Sequence, residues 1–325
     1  MVRTPFLLST LALSSALYAG VGYDGRFNLY TGWRQDCLDW SVQGPGGDPD
    51  VFAEIDWKEF ESFFVGARGY LAGWDHIFIR AQADYGKFLQ GKAINSVYAF
   101  NDRLGLFTRT EACQTGRVLY DYKLALGGHV LPNCGPFDVA FVGGYSYQSL
   151  SLRFENPVVV LSPLMIDSRF GGEGLHVRNL THWKSGFLGV DGYWNAGCWT
   201  FAIQGEFHYV AYKGRGQWIW NEPPFEVGVD EIPQFFDLRW RDCASGWGQL
   251  VTATIGYGGH EHWYFGLVGG YQRFWTRPGD FVVDDHREHF HPDLTYIVTF
   301  PAEDAVLNKI VWESFYITFN FECHF

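Results

Sequence analysis

Four potential metal ligands fall within eight residues at Asp284, His286, His289 and His291. Imidazole and carboxylate donors at that density can hold a transition-metal ion. Their spacing fits no fixed ligand pattern, and a solvated, charged loop accounts for the same residues, so no cofactor is expected. Glu206 and His208 form a second group, two positions apart. In an extended chain, residues i and i+2 share a face. The carboxylate can then orient the imidazole as an acid–base pair, or both can join a satisfied polar network.

Six cysteines, Cys37, Cys113, Cys134, Cys198, Cys243 and Cys323, include no C-x-x-C pair. That argues against a zinc or thioredoxin-like site. Of the fifteen connectivities the sequence selects none; placement on the same side makes Cys134 with Cys198 and Cys113 with Cys243 each possible as a disulfide, provided their Cα atoms come within about 7 Å.

The elements that must carry these groups are strands. From Val311 to Phe325, apolar residues recur at every second position through Phe315, Ile317, Phe319, Phe321, Cys323 and Phe325, with Ser314, Tyr316, Thr318, Asn320 and Glu322 between them. A period of two sets one greasy face against one wettable face. At the other end, Arg3 precedes an apolar run from Phe6 to Leu17 and small residues up to Gly20. That reads as a secretory signal peptide over residues 1–19, leaving residues 20–325 as one domain. No stretch approaches the roughly 20 apolar residues of a membrane helix. An exported chain that crosses a membrane with strands must close into a barrel, because lipid cannot satisfy an open sheet edge.

Ten strands are expected, at about 26–42, 51–72, 74–90, 117–130, 137–154, 181–194, 198–213, 246–257, 262–276 and 310–325, with the segments 91–113 and 214–242 read as loops. Short turns at Gly73, Gly135, Gly197 and Gly259 carry an aromatic just inside the next strand (Trp74, Phe137, Trp199, Trp263), while the other connections are long. Short periplasmic turns and long outer loops are what an outer-membrane barrel shows. The fold class is therefore all-β, a transmembrane antiparallel β-barrel, with five extracellular loops and both termini periplasmic. Alternation directs Arg80, Asp84, Asp121, Lys123, Glu206 and His208 into the lumen, where charges of both signs can pair. Phe321 and Phe325 form a carboxy-terminal insertion signal. The expected partners are outer-membrane lipid, the barrel assembly machinery and other envelope proteins or a host surface. A net charge of −12 argues against nucleic acid.

Glu54-Ile55-Asp56-Trp57-Lys58, Gly73-Trp74-Asp75, Val142-Gly143-Gly144-Tyr145 and Gly205-Glu206-Phe207-His208-Tyr209 resemble strands of the omptins, ten-stranded surface proteases of the outer membrane. Cysteine use and aromatic richness also resemble outer-membrane proteins of chlamydia-like bacteria. The omptin resemblance implies an acidic pair above the third strand facing Asp-x-His above the seventh. Residues 86–101 contain no carboxylate, and Ile219 and Asn221 stand where Asp and His are needed. The reading is thus an omptin-like fold without the protease residues, in a structural or surface-interaction role and not an enzyme. The alternatives are a narrow porin for small solutes or a surface hydrolase with a different site.

Overall fold

The computed structural model describes residues 24–73, 76–114, 117–130, 136–161, 175–221, 225–227, 230–232, 235–260, 262–289 and 305–325. The expected signal peptide, Trp74, Cys134 and His291 lie outside them. The strands are β1 (Asp24–Val42), β2 (Ala53–Gly73), β3 (Ile77–Phe100), β4 (Leu104–Gln114), β5 (Val118–His129), β6 (Phe137–Leu161) and β7 (Leu175–Ala196). They continue with β8 (Trp199–Asn221), β9 (Phe225–Val227), β10 (Asp230–Ile232), β11 (Phe235–His260), β12 (Trp263–Thr276), β13 (Gly279–His289) and β14 (Val306–His324).

The wall runs β1-β2-β3, then β4 above β5, then β6-β7-β8-β11, then β13 above β12, then β14, which pairs back to β1. Two positions are shared by two strands each, so the barrel has ten positions, all antiparallel. Among the described residues, β9 and β10 pair with each other alone. At the seam, Gly25 and Phe325 exchange both backbone hydrogen bonds, at 3.1 and 2.9 Å. No sheet edge is left along that closure.

Two aromatic belts mark the lipid-facing band. The lower includes Phe137, Trp194, Trp199, Tyr257, Trp263 and Phe321; the upper includes Tyr85, Tyr120, Tyr145, Tyr209 and Tyr271, all exposed. Ten residues separate Trp199 from Tyr209 on β8. At about 3.3 Å per residue and 45° tilt this is about 23 Å, the height of an outer-membrane apolar band. Between the belts, Ile77, Ile79, Leu124, Leu126, Phe141, Leu188, Ile203, Leu267 and Phe319 face outward.

The strands are much longer than this band requires. β8 has 23 residues and β11 has 26, against the 9–11 or so that cross a bilayer. The excess extends the wall beyond the upper belt, and there the pattern inverts. On β8, Gln204, Glu206 and His208 point inward below, and Val210 and Tyr212 point inward above, with Lys213 and Arg215 outward. On β3, Arg80 and Asp84 give way inside to Phe88 and Ala93, with Lys87 and Lys92 outside. Within the band, lipid requires apolar side chains on the outer face; above it, water requires polar ones, and the interior takes the remainder.

This inversion corrects the expected loops. Within the segment 91–113, residues 91–100 are the upper end of β3 and residues 104–113 belong to β4, and most of 214–242 is the paired upper halves of β8 and β11. β13 likewise occupies the start of the last expected loop.

Candidate functional site in the barrel interior

The interior has two layers. In the membrane band, Glu206 is the hub. Its Oε1 accepts from Arg80 Nη2 at 3.1 Å, and its Oε2 lies 2.6 Å from Lys123 Nζ and 3.2 Å from His208 Nε2. Arg80 also donates to Asp191 Oδ2 at 2.8 Å. Asp84 accepts from Tyr30 and from Gln82, and Asp121 accepts from Gln148 at 3.0 Å. All six polar residues assigned to the lumen from sequence are buried there. Arg80, Lys123, Glu206 and His208 make one network, with Asp84 and Asp121 beside it. A small cavity of about 30 Å³ lies among Tyr30, Arg34, Arg80, Asp84, Glu206 and Tyr316.

Behind the hub, Ser185 Oγ stands 2.8 Å from His208 Nδ1 and 2.6 Å from Ser146 Oγ. A carboxylate only accepts, so His208 donates from Nε2 and its Nδ1 accepts from Ser185. Hydroxyl, imidazole and carboxylate thus stand in the order of an acyl-transfer triad. Two features oppose that chemistry. His208 has no solvent-accessible surface, and Glu206 is already shared between two cations. Each of the three groups is hydrogen-bonded, as in a satisfied polar network. Ser185 escaped the sequence reading because a single inward serine carries no spacing signal.

The second layer lies above. Trp40, Trp57, Phe88, Phe154, Trp183, Tyr212, Trp240, Phe274 and Trp312 are all buried in one cluster with Leu38, Ile55, Leu152 and Ile310. Rings meet across the lumen between strands that are not neighbours. Trp183 on β7 is 5.7 Å from Trp312 on β14, Trp57 on β2 is 5.7 Å from Phe154 on β6, and Trp40 on β1 is 6.3 Å from Trp240 on β11. Two carboxylates border the layer. Asp36 accepts from Trp312 Nε1 at 2.8 Å and from Arg34 Nε at 2.9 Å. Asp242, above the upper belt, accepts from Trp40 Nε1 at 2.6 Å and from Tyr212 at 3.5 Å. Burial pushes the Asp242 carboxyl up to about 6, against the hydrogen bonds from Trp40 and Tyr212, which oppose the shift.

The cysteine pairing of Cys113 with Cys243 is corrected. Both are unpaired and exposed on the outer wall. They belong to β4 and β11, separated by β6, β7 and β8. At about 4.8 Å per strand step, that is far beyond disulfide reach. Cys198 is also unpaired. Asp284, His286 and His289 fall on the backbone of β13, opposite β11; their side chains are not among those described. Among the described residues, no group of three or more His, Cys, Asp or Glu has the geometry of a metal site.

A sequence profile described as "Protochlamydia outer membrane protein" matches residues 28–325. The chain belongs to the Protochlamydia outer membrane protein family. No protein of the curated set matches it. Among solved structures, the outer membrane protease OmpT from Escherichia coli superposes with a TM-score of 0.69 at 12% identity, covering 94% of this chain and 99% of that one. The outer membrane protein OprG from Pseudomonas aeruginosa reaches a TM-score of 0.32 at 9% identity, covering 94% and 96%. The OmpT likeness shows the omptin barrel fold. In this family member the upper interior is aromatic, and Asp36 and Asp242 there serve tryptophan N–H groups.

Proposed function

We propose that this outer-membrane barrel is a sealed structural platform whose extended upper wall and loops do its work at the cell surface. The observation that carries this reading is the aromatic layer, in which buried rings from opposite sides of the barrel meet. The orientation we infer rests on the unequal lengths of the strand ends on the two sides of the belts. The termini and short turns lie at the lower rim, which we place in the periplasm, and the long strand ends project outward. The role is then adhesion or packing with other envelope components, without proteolysis; dibasic peptides, the substrates expected of an omptin, should stay intact. A second reading is a narrow solute channel, favoured by the charged lumen in the membrane band. It requires the aromatic layer to move aside. Planar-bilayer recordings on refolded protein test both. Silence across the voltage range supports the platform, and steady conductance overturns it in favour of the channel.

A further inference from the structure

Above the upper belt, water faces the outer wall and favours polar side chains there. One sector departs from this. Among the described residues, the large apolar side chains that lie above the belt and are more than half exposed are Phe63 on β2, Leu89 and Phe100 on β3, Leu104 on β4, and Val158 and Val160 on β6. These four strands are consecutive in the upper wall. Register puts the side chains on its outer face. Phe100 stands opposite Leu104, and Val158 opposite Glu111, whose neighbour Ala112 belongs to the buried core. Counted from Tyr85 at about 2.3 Å per residue on a tilted strand, Leu89 lies about 9 Å and Phe100 about 35 Å above the belt. Apolar side chains gathered in water on one side of a protein mark a contact surface.

The top of the strip is held in place before any contact. Asp102 and Arg103 form the β3–β4 turn with φ of 56° and 57°. The Asp102 N–H donates to Asp50 Oδ1 at 2.8 Å, and Arg103 Nε donates to Glu54 Oε2 at 2.9 Å. The Phe100 ring lies over Gly105, where an added Cβ would meet it at 2.5 Å. A display fixed in this way loses little freedom on binding. Charges beside the strip close on themselves: Lys92 with Glu59 at 3.7 Å, Arg103 with Glu54 at 2.9 Å and Arg109 with Glu111 at 3.3 Å. Lys87 lies lower, near the headgroup level. A locally neutral face can meet its own copy, although the chain carries −12.

The same sector is flat inside the membrane band. Gly69 stands opposite Ala81, and Ala67 opposite Ala83, all on the lipid side of β2 and β3. A Cβ added at Gly69 would meet nothing within 4 Å. Small residues let two membrane-embedded walls approach closely.

We propose that this sector is the contact between two copies of this chain lying side by side in the membrane, related by a two-fold axis along the membrane normal. Such an axis brings each residue to the height of its equivalent, so a vertical strip meets itself along its whole length. The upper apolar side chains then cover one another, and the small residues seat the walls together in the lipid. A soluble partner could reach the upper strip and not the flat face below it. The inference names a neighbour for the packing role proposed above and holds whichever way the wall faces.

The test is sedimentation equilibrium of the full mature chain, refolded in density-matched detergent with a thiol reductant present. A monomer–dimer equilibrium is expected. Phe100→Ser/Leu104→Ser should weaken it about ten-fold or more. Ala81→Trp, which raises a large ring on the flat face, should do the same. Leu188→Trp, on the lipid side of β7, should leave it unchanged. All of these positions are exposed, and strand content by circular dichroism checks that each barrel has formed. A strict monomer at every concentration overturns the proposal and leaves the upper strip to a different protein. A dimer that neither Phe100→Ser/Leu104→Ser nor Ala81→Trp weakens overturns it by placing the contact elsewhere, and a larger assembly overturns the two-fold axis. Association and conductance are read separately, so this inference and the sealed-platform reading fail independently.

Discussion

Lys123 Nζ lies 2.6 Å from Glu206 Oε2 across the lumen, although β5 and β8 are separated in the wall by β6 and β7. The bond ties two sides of the barrel together in the membrane band, where both partners are buried. Removing one partner leaves a buried charge short of its compensation, which costs about 3–5 kcal/mol. Lys123→Met should lower the unfolding stability of refolded protein by that order, and Lys123→Met/Glu206→Gln should recover much of it. If Lys123→Met is neutral, water already fills the lumen and the channel reading gains.

The aromatic layer predicts a paired effect. Trp→Ala in a packed interior costs about 3–5 kcal/mol. Trp183 and Trp312 meet at 5.7 Å across the barrel, and Phe274 stacks on Trp312 at 5.5 Å. Trp183→Ala/Trp312→Ala should reduce stability and also raise conductance above that of the native protein. Loss of stability with no conductance would show that the lower ionic network seals the barrel by itself.

Asp242 gives the upper wall a pH dependence. Its folded value of about 6 lies above the ordinary 3.8. A carboxyl raised in this way favours the folded state while protonated. Its contribution, about 3 kcal/mol, is full below pH 3.8 or so and is lost as pH rises through about 6. Native protein should gain resistance to denaturant between pH 7 and pH 4 through this residue. Asp242→Asn should flatten that part of the profile. An unchanged slope in Asp242→Asn would assign the dependence to other groups.

How far the fold could be read from the chain depended on which medium faced each strand. Between the belts, lipid demands apolar residues outside, so Ile77, Ile79 and Tyr85 alternated cleanly with Arg80 and Asp84, and strand identity was plain. Above the upper belt the phase reverses, and a bulge near Glu61 and Gln90 shifts the register as well. Phe88 and Ala93 then point inward after a run in which apolar residues pointed outward. Read as one pattern, that reversal looks like the end of a strand. The charged lumen was legible because inward charges interrupt an apolar alternation. The aromatic layer was not, because Trp57, Trp183 and Trp312 meet only once distant strands close into a barrel. The outward cations above the upper belt were hidden for a similar reason: Arg215 on β8 and Arg241 on β11 meet only through pairing register.

Phe325 joins assembly to structure. Its backbone closes the seam with Gly25, and its ring lies over that glycine, where any added Cβ would meet ring carbons within 3 Å. The ring itself remains largely exposed on the lipid side. Four residues earlier, Phe321 stacks on Trp263 at 4.9 Å and anchors the last strand at the lower belt. An exposed ring contributes less than the 1.5–3 kcal/mol or so of a fully buried one, so its loss should cost little once the barrel has formed. Phe325→Ser should therefore leave the stability of detergent-refolded protein nearly unchanged and sharply lower the amount inserted in cells, if the terminal aromatic is read during assembly. Phe321→Ser should lower both, because it also removes the stack with Trp263. Gly25→Ala should cost little stability, because the exposed ring at the chain end can swing off the added methyl. Equal losses for Phe325→Ser in the two measurements would make it a packing residue, and no loss in either would remove the last strand's role as the insertion signal.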